Sequence, residues 1–250
     1  MEIETKDFLS LYKRPDMSKK SYEKIKHMLP LKLNKDVASI VSYITFDGHL
    51  AKDCSQLFLS SKDLGTLKNF LELLENRFGI KGNFEECKEG FGKSYKFRVF
   101  SHPFCRLMKL SGAPVGNKSV TIFDVPEWVK EDRESSRLYL RVAFDCEGSI
   151  WKDKNGYPRI RIKTNKSIKL IKNGIDFMQS IRDMLGNFKI ETTNLWEVKG
   201  YDKGFIKTKG ICFSIKSKSI KNFSEEIGFN IEKKQKRLKD ITESLAVGHV

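Results

Sequence analysis

The chain has 250 residues, with 47 Lys+Arg against 32 Asp+Glu for a net charge of +15, and is 39% hydrophobic. That apolar content supports a sizeable core, in one large or two small domains, and excludes a disordered basic tail. No apolar run approaches the roughly 18 residues of a membrane span, and Met1-Glu2-Ile3-Glu4 lacks a basic-then-apolar signal pattern, so an intracellular, cytoplasmic protein is expected. Residues 1–34 read as an extension carrying Lys13-Arg14-Pro15 and Lys19-Lys20, either a helical brace or a phosphate contact. From Lys35 an apolar pattern of about three turns predicts a helix ending in Asp47-Gly48. Strands are expected at His49 to Asp53 and Gln56 to Ser60, then an amphipathic helix over Lys62 to Phe78 and a strand through Tyr95 to Val99. A second such helix runs from Ser135 into Cys146-Glu147-Gly148, with strands at Ser149 to Asp153 and Arg159 to Lys163 and a helix over Lys166 to Leu185. Further strand pattern at Phe205 to Lys209 and a closing helical region complete helix–strand–strand–helix–strand–strand–helix, twice. In this reading Gly48 and Gly148 are helix stop signals.

Asp47 and Glu147 stand at equivalent places, 100 residues apart. A carboxylate at a helix C-terminus is mildly unfavourable, by roughly 0.3–1 kcal/mol. One such acid reads as a tolerated exposed residue, whereas two in matched context predict a divalent-cation site. Ala38 and Ser42 on the first helix, and Ala143 and Cys146 on the second, are small residues at spacings that let helices approach closely. The five cysteines (Cys54, Cys87, Cys105, Cys146 and Cys212) form no CxxC pair and the four histidines are far apart, so reduced thiols and no structural zinc site are expected.

The charge surplus is spread along the chain. Up to Arg133 there are 23 Lys+Arg and 18 Asp+Glu, a net +5; after it, 24 and 14, a net +10. In Arg159-Ile160-Arg161-Ile162-Lys163 the cations take one parity and the isoleucines the other, which on a strand gives one basic and one apolar face. Tyr95-Lys96-Phe97-Arg98-Val99 repeats this, and Phe205-Ile206-Lys207-Thr208-Lys209 is a looser third case. Any one of these could be an ordinary solvated face; together they suit a nucleic-acid groove. The expected base contacts are Arg159, Arg161, Lys163, Lys96, Arg98 and Gln56, then Lys207 and Lys209.

Ile40-Val41-Ser42-Tyr43-Ile44-Thr45-Phe46-Asp47-Gly48 resembles a degenerate LAGLIDADG motif, and Leu140-Arg141-Val142-Ala143-Phe144-Asp145-Cys146-Glu147-Gly148 is a nearer match. Between them, Gly112-Ala113-Pro114-Val115-Gly116-Asn117-Lys118-Ser119 followed by Val125-Pro126-Glu127-Trp128 is similar to the linker of two-motif members. The sequence departs from the pattern at Ser42 and Val142, where Gly is usual, and at Thr45, where an acid is usual.

The resemblance implies an α+β fold of two pseudo-symmetric αββαββα repeats, with paired motif helices and a saddle of antiparallel strands on double-stranded DNA. Its implied boundaries are 1–34 extension, 35–133 first repeat with linker, and 134–250 second repeat. It further implies a monomeric homing endonuclease that hydrolyses phosphodiesters with Mg2+ at a long, non-palindromic site. Asp47 and Glu147 match the metal-binding acids. Lys118 matches the first active-site lysine, and Lys233 or Lys234, with Lys234 preferred, the second. The alternative is a non-cleaving protein of the same fold, an intron-RNA splicing cofactor or a DNA-binding regulator. Met1 and the His249-Val250 end lack a splicing nucleophile and a terminal His-Asn, so a freestanding protein rather than an intein is expected.

Overall fold

A computed structural model describes residues 1–82, 84–87 and 93–247; the His249-Val250 terminus lies outside the described residues. The chain forms two compact units, Met1–Asn117 with Pro126–Ser135, and Lys118–Val125 with Ser136–Val250.

The first unit opens with β1 (Glu2–Ile3), α1 (Thr5–Leu9), α2 (Pro15–Ile25) and β2 (Leu31–Lys32), with β1 antiparallel to β2. The extension is thus a folded part of this unit, anchored by buried Phe8 and Ile25. Next comes α3 (Lys35–Phe46), started by Asn34, whose side chain accepts the N–H groups of Asp36 and Val37 at 3.1 and 3.2 Å. Every residue of α3 from Val37 to Phe46 is buried, as expected of a helix apolar on all sides. Then follow β3 (Gly48–Leu50), β4 (Leu57–Ser61), α4 (Leu64–Phe78), β5 (Phe84–Cys87), β6 (Ser94–Val99) and α5 (His102–Leu110). The helix expected from Lys62 begins at Leu64, because the Asp63 carboxylate accepts the Thr66 N–H at 2.8 Å and fixes the start. Tyr43, Phe70 and Phe97 meet edge to face at 5.4 and 6.1 Å, joining α3, α4 and the sheet into one core. After the linker, α6 (Glu127–Glu131) returns to this unit, and Trp128 Nε1 donates to the Ser111 carbonyl at 3.0 Å.

The second unit contains most of α7 (Arg133–Glu147), then β7 (Gly148–Lys152), β8 (Pro158–Ser167), α8 (Ile171–Gly186), β9 (Trp196–Lys203), β10 (Ile206–Ile215), α9 (Ile220–Glu226) and α10 (Glu232–Val247). Both four-stranded sheets are antiparallel with one topology, β3-β4-β6-β5 and β7-β8-β10-β9. The element order is αββαββα in each half, with α10 added in the second. The helix expected from Lys166 begins at Ile171, because β8 continues to Ser167 and a short turn intervenes. Lys166 is on the inner row of that strand, and α8 packs closely at Gly174, where a Cβ would lie 2.4 Å from Ile211 Cδ1 and 2.9 Å from Lys166 Cβ.

Candidate active site and nucleic-acid interface

Asp47 caps the C-terminus of α3 and Glu147 is the last residue of α7; both are half-buried. The glycine after each acid is not a left-handed stop residue, since neither Gly48 nor Gly148 has a positive φ. Each is the first residue of a strand. A Cβ on Gly48 would lie 2.8 Å from Ile44 Cα, and one on Gly148 would lie 2.4 Å from the Phe144 carbonyl oxygen. The acid-glycine pair therefore lets a strand leave directly across the last turn of its helix, with the carboxylate held at the junction. Two such junctions offer hard oxygen donors, the kind that suits magnesium, which keeps several of its own waters. Among the described residues, no group of three or more His, Cys, Asp or Glu converges on one point.

The end of α7 is built in more detail. Asp145 is buried, and its carboxylate accepts from Asn230 N at 2.9 Å, Asn230 Nδ2 at 2.8 Å and Ile231 N at 3.2 Å. Burial pushes its pKa up to about 6 against the opposing pull of these hydrogen bonds and of Lys234. The anchored segment leads into α10, whose Lys234 donates from Nζ to the carbonyls of Phe144, Asp145 and Gly148 at 3.1, 2.5 and 2.6 Å. A cation on the last carbonyls of a helix is favourable, and this one sits on both sides of Glu147 along the backbone. Lys233 is exposed on the same helix, so the structure distinguishes the two lysines that sequence left open.

Lys118 lies in a short 3-10 turn packed within the second unit. Its carbonyl accepts from Lys166 Nζ at 3.0 Å; the same ammonium donates to the Thr121 carbonyl at 2.6 Å and lies 4.0 Å from the centre of the Phe123 ring. Lys166 is only 2% exposed, and burial lowers its pKa to about 8. Asn173 on α8 reinforces the attachment, exchanging hydrogen bonds with the Phe123 backbone at 3.3 and 3.0 Å. Sequence reasoning missed Lys166, although one signal was there: a lysine on the apolar parity of β8.

The sheets carry the expected cations unequally. Arg159, Arg161 and Lys163 alternate with Ile160 and Ile162, both 0% exposed. Arg161 lies 5.1 Å over the Trp151 ring, and Arg159 pairs with Asp153 at 2.9 Å. Lys163 passes over Gly210, where a Cβ would come within 2.5 Å of its Cε. In the first unit, Lys96 and Arg98 are 5.2 and 5.8 Å from the Phe58 ring, Arg98 also faces Glu85 at 3.5 Å, and Phe97 and Val99 point inward. Gln56 sits one residue before β4, its Oε1 buried with no hydrogen-bond partner among the described residues.

The third expected row is different. Lys209 stands opposite Lys166 in the β10–β8 register, while Cys212 and Ser214 stand opposite Lys163 and Arg161. Lys209 therefore continues the inner row of Ile211, Phe213 and Ile215, on the other side of the sheet from Arg161 and Lys163, while Lys207 lies beyond the β8 pairing, past an irregularity in the β9 register. Lys209 is exposed there and pairs with Glu197 at 2.5 Å.

Residues 134–228 match the family profile described as the LAGLIDADG-like domain. The second half of the chain thus carries a LAGLIDADG-like domain. It is 32% identical over 218 residues to the tRNA-splicing ligase RtcB of Methanopyrus kandleri, which covers 80% of this chain and 21% of the ligase. The corresponding Pyrococcus abyssi protein is 28% identical over 247 residues, 90% of this chain and 26% of its own. The chain thus spans about a quarter of the length of these relatives. Among solved structures, the homing endonuclease I-WcaI bound to its DNA recognition sequence has a TM-score of 0.54 at 14% identity, covering 94% of this chain and 98% of I-WcaI. Mesophilic variants of the homing endonuclease I-DmoI give 0.52 at 14%, covering 82% and 97%. Full-length DUF199/WhiA from Thermatoga maritima gives 0.55 at 17%, covering 91% and 66%. At these identities the likeness is one of fold, and it is the LAGLIDADG endonuclease fold.

Proposed function

We propose that this protein is a site-specific DNA endonuclease that makes magnesium-dependent double-strand breaks at a long, non-palindromic site. The observation that carries the reading is the repeated helix-end junction, an acid followed by a glycine that no other residue could replace without moving the helix backbone. A protein that only bound nucleic acid would have no chemical need for a carboxylate at both junctions. In this reading Asp47 and Glu147 are metal ligands, each at its own helix-end junction. Bound there, magnesium would supply a more acidic water and charge neutralisation at the scissile phosphate. Lys234, fixed on the α7 carbonyls, and Lys118, on the turn that Lys166 holds, add positive charge for the developing phosphorane. Arg159, Arg161, Lys163, Lys96 and Arg98 contact base edges and phosphates, and the unlike rows of the two sheets read unlike half-sites. The protein works as an intracellular monomer. The ligase activity in the names of the longer relatives is not carried over, because only about a fifth of the ligase is matched.

The test is selection of bound duplexes from a random pool, followed by cleavage with magnesium. Asp47→Asn and Glu147→Gln should each lower cleavage on the order of 10³-fold while leaving binding in calcium intact. Loss of binding would mark the acids as structural. Tight binding to a structured intron RNA, with no DNA cleaved, would favour the splicing-cofactor alternative.

A further inference from the structure

The first unit holds a cavity of about 680 Å³ between the extension and α5. Its aromatic members are Tyr12 and Phe100, and its cations Lys20, Lys24 and Arg106. Phe100 is 73% exposed, an uncommon state for a phenyl ring, and directly follows β6, two residues beyond Arg98. The Arg106 guanidinium lies 4.1 Å from the centre of the Tyr12 ring, a preformed cation–aromatic stack. Tyr12 Oη is buried and has no hydrogen-bond partner among the described residues.

The charge on α2 is segregated. Met17, Lys20, Ser21 and Lys24 are spaced at i, i+3, i+4 and i+7, so one face of the helix lines the cavity. The carboxylates of α2 are absent from that lining and are matched elsewhere, Asp16 with Arg14 at 2.8 Å and Glu23 with Lys26 at 2.8 Å. Cations beside an open aromatic face, with no carboxylate in the lining, fit a chain of phosphates bearing flat bases. They fit a base-paired duplex poorly, because paired bases are stacked on each other and cannot lie on Phe100.

We propose that this groove binds single-stranded nucleic acid, with an unpaired base stacked on Phe100 and the backbone phosphates on Lys20, Lys24 and Arg106. The site is separate from the cleavage chemistry and stands or falls independently of it. It lies at the end of the strand that carries Lys96 and Arg98.

The test uses the full chain with fluorescein-labelled ten-nucleotide oligo(dT) and oligo(rU), without duplex target, so that failure of the nuclease reading cannot influence it. Phe100→Ala should weaken binding roughly 5- to 150-fold, the range for loss of one stacked base. The double variant Lys20→Ala/Lys24→Ala should reduce the slope of log affinity against log salt by about 1.4, since each phosphate contact on a single strand contributes about 0.7. All three side chains are exposed, and a thermal melt matching that of the parent confirms the fold. A 5-iodouracil oligonucleotide should photocrosslink to Phe100 or Tyr12. The proposal is overturned if both variants bind like the parent, or if crosslinks fall only on the sheets. It is also overturned if an acidic amphipathic peptide binds the groove and the oligonucleotides do not. Comparison of the dT and rU arms identifies which strand chemistry is preferred.

Discussion

The two halves share one strand order and one helix-end junction, yet they support that junction differently. In the second half, Asp145 ties α7 to the start of α10, and α10 returns Lys234 to the carbonyls around Glu147. In the first half the corresponding residue is Thr45, whose hydroxyl donates back to the Val41 carbonyl of its own helix at 2.7 Å. The sheets differ in the same direction, with β8 and β10 of 10 residues each against 5 and 6 for β4 and β6. Pseudo-symmetry thus preserves an acid at a tight helix–strand junction and leaves the surroundings of each acid to diverge.

The largest expected effect tests that divergence directly. Asp145→Ala leaves the N–H groups of Asn230 and Ile231 without their acceptor in a buried setting and should destabilise the protein by about 2–3 kcal/mol. Thr45→Ala should cost less than about 1 kcal/mol, since its hydroxyl serves only a carbonyl already in the helix ladder. Urea denaturation of both variants measures the difference. Equal losses would show that the two junctions depend on this position alike.

Next in size is the contrast between the sheets. Both arginines lie over a ring, Arg161 on Trp151 and Arg98 on Phe58, but Arg98 is also paired with Glu85 at 3.5 Å. Arg161→Ala should weaken binding to a selected duplex about tenfold, within the usual range for one bidentate base contact. Arg98→Ala should weaken it about threefold or less, because the arginine must first give up Glu85. Fluorescence anisotropy with one duplex decides it; a larger loss for Arg98 would make the first sheet the principal reader.

These comparisons also mark where sequence reasoning reached and where it stopped. Alternation along Arg159 to Lys163 revealed both faces of β8, because a period of two survives any tertiary context. The same counting failed at Lys209, since five residues show two faces but not which is inner. The longer apolar row of Ile211, Phe213 and Ile215 carried that information. Gly48 and Gly148 were legible as helix ends but not as close-approach residues, because a clash with the helix backbone is a property of the path taken afterwards. The choice between Lys233 and Lys234 depended on a turn that Asp145 fixes from 85 residues away, a separation no local pattern spans.

The smallest expected effect concerns Lys166, a cation on an inner strand row with its charge against two carbonyls and a ring. Its folded pKa of about 8 lies below the ordinary 10.5. Between those values the unfolded chain holds a proton that the folded protein does not, so stability from this group rises with pH across the window and is lost as pH falls through about 8. The increment should be under about 1 kcal/mol between pH 7.5 and 8.5. It should appear as a rise in the urea midpoint of the parent that Lys166→Met lacks. Parallel pH profiles would mean that the ammonium is solvated and does not hold the Lys118 turn. If the profiles diverge as expected, the same variant should also lower cleavage by loosening the carbonyls of Lys118 and Thr121. Such an effect would separate a positioning role in the second half from the direct role assigned to Glu147, because Lys166→Met would leave the helix-end junction intact.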